Sequence, residues 1–88
     1  MNGIEEIAEV LTRIRAKALM RGFLDSILTE RELKEVAGRW EIVKLLDQGV
    51  SQRQVARQLG MSLCKITRGS RELKKENSPL KRVIKEYL

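Results

Sequence analysis

The side chains with the clearest chemical capacity in this sequence are basic, and they lie in one short segment. Between residues 51 and 75 the only acidic residue is Glu72, and the basic residues are Arg53, Arg57, Lys65, Arg68, Arg71, Lys74 and Lys75. The whole chain has a net charge of +6. So strong a local concentration favours a polyanionic partner, above all nucleic acid. A generic basic surface is the alternative, and a membrane surface is disfavoured because the segment lacks an aromatic-rich apolar face.

Enzymatic chemistry has little support in the residue inventory. The chain has no His and one cysteine, Cys64, so a single chain can form neither a His/Cys metal site nor a His-based catalytic triad. Glu5 and Glu9 have i,i+4 spacing, which is typical of a solvated helix face rather than of an acid–base pair. The sequence therefore predicts a protein that is not an enzyme and has no metal or resident cofactor.

A helix-turn-helix is the element that would position the basic residues. With Gln52 as its first position, apolar residues fall on the sites that join two helices, at Val55, Leu59, Met61 and Ile66. Ala56 lies where the helices cross closely, and Gly60 lies in the turn, where a positive φ is usually needed. An ordinary αα-hairpin is the alternative, but the basic charge on the same segment favours DNA binding.

The second helix of this motif, starting at Leu63, would enter the major groove with its first residues facing the base edges. The expected base contacts are Leu63, Cys64, Lys65 and Thr67, and the other expected DNA contacts, mainly to phosphates, are Gln52, Arg53, Ser62, Ser70, Arg71 and Lys74. Because two of the groove-facing residues are apolar, water-mediated or shape readout should contribute. Cys64 is interpreted as a small groove-facing residue rather than a redox sensor.

Helical periodicity over the whole chain predicts an all-α fold of about six helices. We expect a first amphipathic helix over residues 3–20, a break at Gly22 and a short helix over Phe23–Leu28. Thr29-Glu30-Arg31-Glu32 is a capping box, which should open a helix that ends near Gly38.

The remaining helices are predicted from their caps. Arg39–Gln48 should be a helix closed by a left-handed Gly49. Ser51-Gln52-Arg53-Gln54 is a second capping box, for a helix to Leu59, and Ser62 should cap the next helix. A polar connector over Lys74–Asn77 leads to Ser78-Pro79, an N-cap followed by Pro, which should start the last helix.

At 88 residues the chain should form one small domain with a thin core, for which oligomerisation is the usual remedy. The apolar stripe of the first helix continues through Leu19, Phe23, Leu24, Ile27 and Leu28. We expect residues 1–28 to form dimerisation helices, an N-terminal arm that packs against, or interleaves with, a second chain, with residues 51–74 as the DNA-binding part. Folding of this arm onto its own domain is the alternative. Trp40 is interpreted as a core or dimer-interface residue.

The sequence also predicts a compartment. It contains no apolar run long enough to span a membrane, its acidic start lacks the basic region of a signal peptide, and a single cysteine fits a reducing environment. We expect a cytoplasmic protein, associated with the nucleoid when bound to DNA.

Residues 28–74 contain a distinctive series of residues: Ile66-Thr67-Arg68-Gly69-Ser70 follows Ser51-Gln52-Arg53 and Gly60, and Leu28-Thr29 and Arg39 precede them in order. In this series the segment resembles the Trp repressor family. The resemblance implies an all-α, intertwined homodimer that binds a double-stranded operator when L-tryptophan, its co-repressor, is bound. The ligand would move the two recognition helices into the spacing of successive major grooves.

The resemblance also implies a ligand site. The indole of L-tryptophan would lie between Arg39 and Arg68, and Arg68 would also hold the carboxylate. Gly69 would let the indole approach the helix backbone. The ligand ammonium would be received at Ser26 and Leu28 of the partner chain, next to Thr29.

Three differences from the best-known members of that family bear on the ligand. Lys65 replaces Thr and Glu72 replaces Ser, and both family residues lie near the ligand's polar end. Glu72 could pair with the ammonium, whereas Lys65 could support the carboxylate or contact a phosphate; alternatively, the ligand differs. The segment from Arg39 to Ser51 is also one residue shorter, which would rotate Arg39 by about 100° unless the following turn absorbs the change.

The leading hypothesis is therefore a tryptophan-responsive repressor of tryptophan biosynthesis or transport genes. A ligand-independent DNA-binding regulator of the same fold is the first alternative. The second is a helical interaction module whose basic surface contacts RNA or an acidic protein.

Overall fold

The computed structural model describes residues 2–88, which form six helices and no strand. The helices are α1 (Gly3–Arg13), α2 (Lys17–Ile27), α3 (Glu30–Asp47), α4 (Gln52–Leu59), α5 (Leu63–Lys74) and α6 (Pro79–Tyr87). The all-α prediction is therefore confirmed. The chain divides into two compact units, an N-terminal unit that ends at Lys34 and a C-terminal unit over Glu35–Leu88. No helix in the described residues has the length and apolarity to cross a membrane.

The N-terminal helices break at a different place from the one predicted. We expected one helix over residues 3–20 and a break at Gly22, but α1 ends at Arg13 and α2 starts at Lys17. Ile14 and Ala16 have extended backbone, with ψ of 119° at both. Gly22 lies inside α2 and does not break it. A glycine in a helix interior costs only about 1 kcal/mol relative to alanine, which the rest of the helix can offset. The predicted helix over Phe23–Leu28 is the second half of α2.

The predicted boundary between Gly38 and Arg39 is also wrong, because α3 runs unbroken from Glu30 to Asp47. Gly38 is buried in the middle of this helix, and a Cβ atom at that position would lie 2.7 Å from Cε of Met61. The glycine thus serves a close approach between α3 and the turn of the helix-turn-helix, and it does not end a helix.

Helix caps are the features that the sequence predicted best. The Thr29–Glu32 capping box is complete: the N–H of Thr29 donates to Glu32 Oε1 at 2.8 Å, and the N–H of Glu32 donates to Thr29 Oγ1 at 3.1 Å. Ser51 Oγ accepts from the N–H of Gln54, and Ser78 Oγ accepts from the N–H of Lys81. Ser62 is the N-cap residue of α5, but its side chain makes no capping hydrogen bond.

The turn between α3 and α4 ends α3 with a left-handed glycine, as predicted. Gly49 has φ of +92°, and the N–H groups of Gly49 and Val50 donate to the carbonyls of Leu46 and Leu45, respectively. This is the Schellman arrangement, in which the residue after the glycine also makes an apolar contact. Val50 accordingly packs against the core, together with Leu45.

The core of the C-terminal unit is small and made of aliphatic side chains. Val55 and Ile66 have no exposed surface, and Ile42 is 2% exposed. The side chains packed against these three are Leu45, Leu46, Val50, Ala56, Leu59 and Met61. Every apolar site predicted for the helix-turn-helix therefore belongs to this core. Trp40 is half-buried.

Candidate nucleic-acid interface

The helix-turn-helix consists of α4, a short turn and α5. Gly60 ends α4 in the left-handed region, with φ of +62°, as the sequence predicted. Its N–H and that of Met61 both donate to the carbonyl of Ala56, which closes the turn. The buried Val55 and Ile66 then lock α4 and α5 together. This packing fixes the direction in which α5 presents its outer face.

The outer face of α5 is exposed and basic. Leu63 is 46% exposed, and Cys64, Lys65 and Arg68 are exposed as well. Arg71 and Lys74 continue the same exposed surface towards the end of the helix. On α4, Gln54 and Arg57 face solvent, as predicted, and Arg53 is exposed.

Thr67 occupies a different environment from the other expected base contacts. It is half-buried, and its hydroxyl lies 2.9 Å from the carbonyl oxygen of Leu63 and 3.1 Å from Oε1 of Gln52. The single hydroxyl proton thus has two acceptors within the chain. Gln52, also half-buried, is held against α5 by this contact.

The two serines expected at phosphates differ in accessibility. Ser62 is exposed at the start of α5. Ser70 is 8% exposed, because it lies one turn after the buried Ile66 on the inner face of the helix. Its hydroxyl therefore does not belong to the surface that α5 presents.

Gly69 marks the closest approach of α5 to α3. A Cβ atom at this position would lie 2.9 Å from Cγ2 of Ile42, 3.4 Å from Cγ1 of Val43 and 3.7 Å from Cδ1 of Leu46. A side chain at position 69 would thus collide with a buried, branched isoleucine. The missing side chain allows the backbone of α5 to lie directly on α3.

Arg39 lies on the same face of α3 that packs against Gly69. It precedes Ile42, Val43 and Leu46 by three, four and seven residues, the spacing of one helix face. Arg39 is exposed, and Arg68 is the exposed neighbour of Gly69 on α5. One exposed arginine thus lies one turn before Ile42 on α3, and another directly precedes Gly69 on α5.

Glu72 is the only acidic residue of the basic segment, and it already has a partner. Its Oε1 lies 3.0 Å from Nζ of Lys75, in a pair whose side chains are 43% and 58% exposed, respectively. An exposed pair of this kind is worth about 0–1 kcal/mol, so another cation can replace Lys75 at little cost. Lys65 and Glu72 lie one turn before and after Gly69, respectively.

The remaining expected ligand contacts lie in the N-terminal unit. Ser26 is exposed in the last turn of α2, where carbonyl groups have no partner within the helix. Leu28 follows as the half-buried C-cap, and its N–H donates to the carbonyl of Leu24. Thr29 is exposed and engaged in its capping box. The hydrogen bonds from Thr29 lower the pKa of Glu32.

Sequence reasoning missed the contribution of α3 to this region. Gly38 was predicted to end a helix, but it lies inside α3 and faces Met61. The ligand contact at Gly69 stays a prediction, and the close approach of Gly69 to Ile42 was not predicted. A glycine within an apolar helical pattern was the available signal, because it often marks a close approach of backbones. Among the described residues no group of three or more acidic, Cys or His side chains could hold a metal.

Comparison with known proteins gives one consistent result. A family model described as "Trp repressor protein" matches residues 2–88. Two similar proteins carry the name "Trp operon repressor homolog". The one from Xylella fastidiosa is 35% identical over 96% of this chain and 86% of its own length, and the one from Chlamydia caviae is 33% identical over 96% and 84%. No solved structure gives a significant match.

Proposed function

Because the chain belongs to the Trp repressor family, we propose that it is a homodimeric, sequence-specific DNA-binding repressor with L-tryptophan as its co-repressor. The family is regulatory rather than enzymatic, and its members support a repressor role for this chain. Tryptophan biosynthesis or transport genes are the proposed targets. The proposed site of action is the cytoplasm, on nucleoid DNA.

The observation that carries the DNA proposal is the orientation of α5. Its apolar face is locked against α4 and α3 through Ile66 and Gly69, so Leu63, Cys64 and Lys65 lie on the outside. A second helix held in this way presents its first residues to the edges of the bases in a major groove. The proposed phosphate contacts are Gln52, Arg53, Ser62, Arg71 and Lys74. Ser70 is left out because it is buried.

The ligand proposal rests on the surroundings of Gly69. Arg68 directly precedes Gly69, and Arg39 lies one turn before Ile42, which meets Gly69; both arginines are exposed. Arginine guanidinium groups stack on aromatic faces and pair with carboxylates, and an indole carrying a carboxylate needs both interactions. The spacing of Arg39 and Ile42 puts Arg39 on the helix face of α3 that meets α5. Glu72 can exchange Lys75 for the ligand ammonium.

The rest of the proposed ligand site comes from a second copy of the chain. Ser26 and Leu28 lie at the end of α2, where backbone carbonyls lack helical partners and can accept from an ammonium group. Thr29, beside them, is held by its capping box. Neither α1 nor α2 has a buried residue, which fits helices whose apolar faces pack against a partner chain.

A gel-shift titration tests the function directly. The probe is a palindrome resembling a trp operator, with and without L-tryptophan, and a scrambled duplex of equal length is the control. The proposal predicts preference for the palindrome that increases with L-tryptophan. Equal preference without the ligand would favour a ligand-independent regulator of the same fold. No preference between the two duplexes would contradict sequence-specific repression.

Calorimetry without DNA tests the co-repressor separately. We expect L-tryptophan to bind the wild-type protein and Arg68→Ala to abolish that binding. Arg71→Ala is the matched control, because Arg71 is an exposed arginine on the same helix but lies one turn beyond Arg68. Absence of binding heat at millimolar L-tryptophan would contradict the proposal that L-tryptophan is the co-repressor, and it would not affect the proposal of DNA binding.

A further inference from the structure

We propose that Lys65 reads a guanine in each half of the operator, donating hydrogen bonds from Nζ to O6 and N7 in the major groove. This inference rests on the proposed DNA function and gives it a specific base contact. It also chooses between the two roles open to Lys65, a contact with DNA and support of the ligand carboxylate.

Lys65 is accessible at the right end of the right helix. It is the third residue of α5, it is exposed, and its side chain has no hydrogen bond or ion pair within residues 2–88. The first residues of the second helix in a helix-turn-helix approach the base edges most closely. A lysine has three donors on a flexible stem, so it can reach two acceptors on the edge of one base.

The neighbours of Lys65 cannot supply this contact. Leu63 is apolar, and Cys64 is at most a weak donor. Thr67, the other polar candidate, has its hydroxyl proton directed to acceptors within the chain, the Leu63 carbonyl and Gln52. Lys65 is therefore the only strong side-chain donor among the first four residues of α5.

The charge around Lys65 also directs it towards DNA. The nearest acidic residue on α5 is Glu72, two turns away and paired with Lys75. Arg68, one turn after Lys65, is exposed and adds positive charge on the same side. With no carboxylate to fold back on, the ammonium favours external acceptors. Guanine offers two acceptors side by side in the major groove, and lysine or arginine on guanine is the commonest specific contact.

Selection from a duplex library tests this assignment. The library randomises the positions of one half-site of the preferred operator and repeats each change in the other half, so that every duplex stays palindromic. Binding is selected with wild type, Lys65→Met and Lys74→Met. Methionine keeps a long unbranched side chain and removes the charge. We expect wild type to require guanine at one position of the half-site. Lys65→Met should lose that preference, with discrimination falling about 5- to 150-fold, while the other positions stay as they were.

Lys74→Met is the matched control, since Lys74 is exposed in the last turn of the same helix. Loss of a phosphate contact there should weaken binding to all sequences about equally and reduce the salt dependence by about one ion. The inference is overturned if Lys65→Met selects the same bases as wild type, or if it weakens L-tryptophan binding without DNA and leaves base preference intact. A wild-type protein that selects no palindrome would overturn the proposed function itself.

Discussion

The N-terminal and C-terminal units differ in whether their apolar side chains are buried. In α1 and α2 no residue is buried, and Ile4 and Leu19 are 72% and 62% exposed, respectively. In Glu35–Leu88, Val55 and Ile66 are completely buried. Both units have the helical apolar periodicity that usually indicates a core. The difference teaches that the pattern identifies an apolar face but not which chain covers it.

Charge separates the two regions as well. Residues 1–38 have six Lys and Arg against seven Asp and Glu, a net charge of −1, whereas residues 39–88 have twelve against five, a net charge of +7. Like charges disfavour close approach of the basic parts of two copies, and polyanions attract them. The division fits the proposal that one region assembles two copies and the other contacts DNA.

The largest effect is expected from truncating the core of the C-terminal unit. Ile66→Ala should lower the free energy of unfolding by about 2–5 kcal/mol, because Ile66 has no exposed surface and the cavity would be closed only in part. Urea denaturation followed by circular dichroism measures the change. Arg57→Ala, on the exposed face of α4, should stay within about 0.5 kcal/mol. An Ile66→Ala protein as stable as wild type would show that this core is not what holds the unit together.

Leu19→Glu tests whether a second chain covers the exposed apolar face of the N-terminal unit. If a second chain covers Leu19, the substitution should cost about 1.5–3 kcal/mol of burial and shift the protein towards the monomer. Sedimentation equilibrium measures the association, and thermal unfolding at several protein concentrations measures its link to stability. Lys17→Glu places the same side chain at an exposed polar position of α2 and should leave association unchanged. Wild-type association in Leu19→Glu would contradict a dimer interface on this face.

Gly69 and Gly38 each lie close to a side chain of the C-terminal unit, and substituting them tests how rigid those two contacts are. Gly69→Ala should destabilise by about 1–3 kcal/mol, because its Cβ would lie 2.9 Å from Cγ2 of Ile42, a stiff, buried side chain. Gly38→Ala should be nearly neutral. Its Cβ would lie 2.7 Å from Cε of Met61, the far end of a flexible side chain, and alanine favours helix by about 0.5–1 kcal/mol.

Chemical denaturation of the two variants under one set of conditions measures that difference. Equal losses would show that α3 and α5 can separate slightly at Gly69, so that the close approach is not rigid. The reverse order would show that Met61, and not Ile42, is the fixed neighbour.

Local chemistry explains what the sequence could predict. The caps at Thr29, Ser51 and Ser78 and the left-handed glycines 49 and 60 depend on residues within one turn of one another. The helix-turn-helix core was equally accessible, since Val55, Met61 and Ile66 have to meet across a turn of fixed length. These features confirm rules that act over a few residues.

The helix boundaries and close contacts that the sequence did not predict depend on residues far apart in the chain. Nothing local distinguishes a Gly38 that ends a helix from a Gly38 that receives Met61 from a later turn. The break between α1 and α2 falls at Ile14–Ala16, without a Gly or Pro to signal it, while Gly22 continues the helix. The Gly69 contact with Ile42 joins residues 27 positions apart. The proposed contacts with DNA and L-tryptophan stay predictions for the same reason, because their partners lie outside the chain.

The smallest expected effect concerns Glu32, which closes the capping box at the start of α3. Hydrogen bonds from the backbone and side chain of Thr29 lower its pKa, so the charged carboxylate stabilises the folded state at neutral pH. That contribution is lost as the pH falls through the lowered pKa. Glu32→Gln should therefore lower the melting temperature slightly at pH 7, and the difference from wild type should vanish on acidification.

Glu30→Gln is the control for the helix dipole, because it removes a carboxylate from the same first turn of α3 without touching Thr29. Equal shifts in the two variants would assign the effect to charge at the helix end, and a larger, pH-dependent shift in Glu32→Gln assigns it to the capping box.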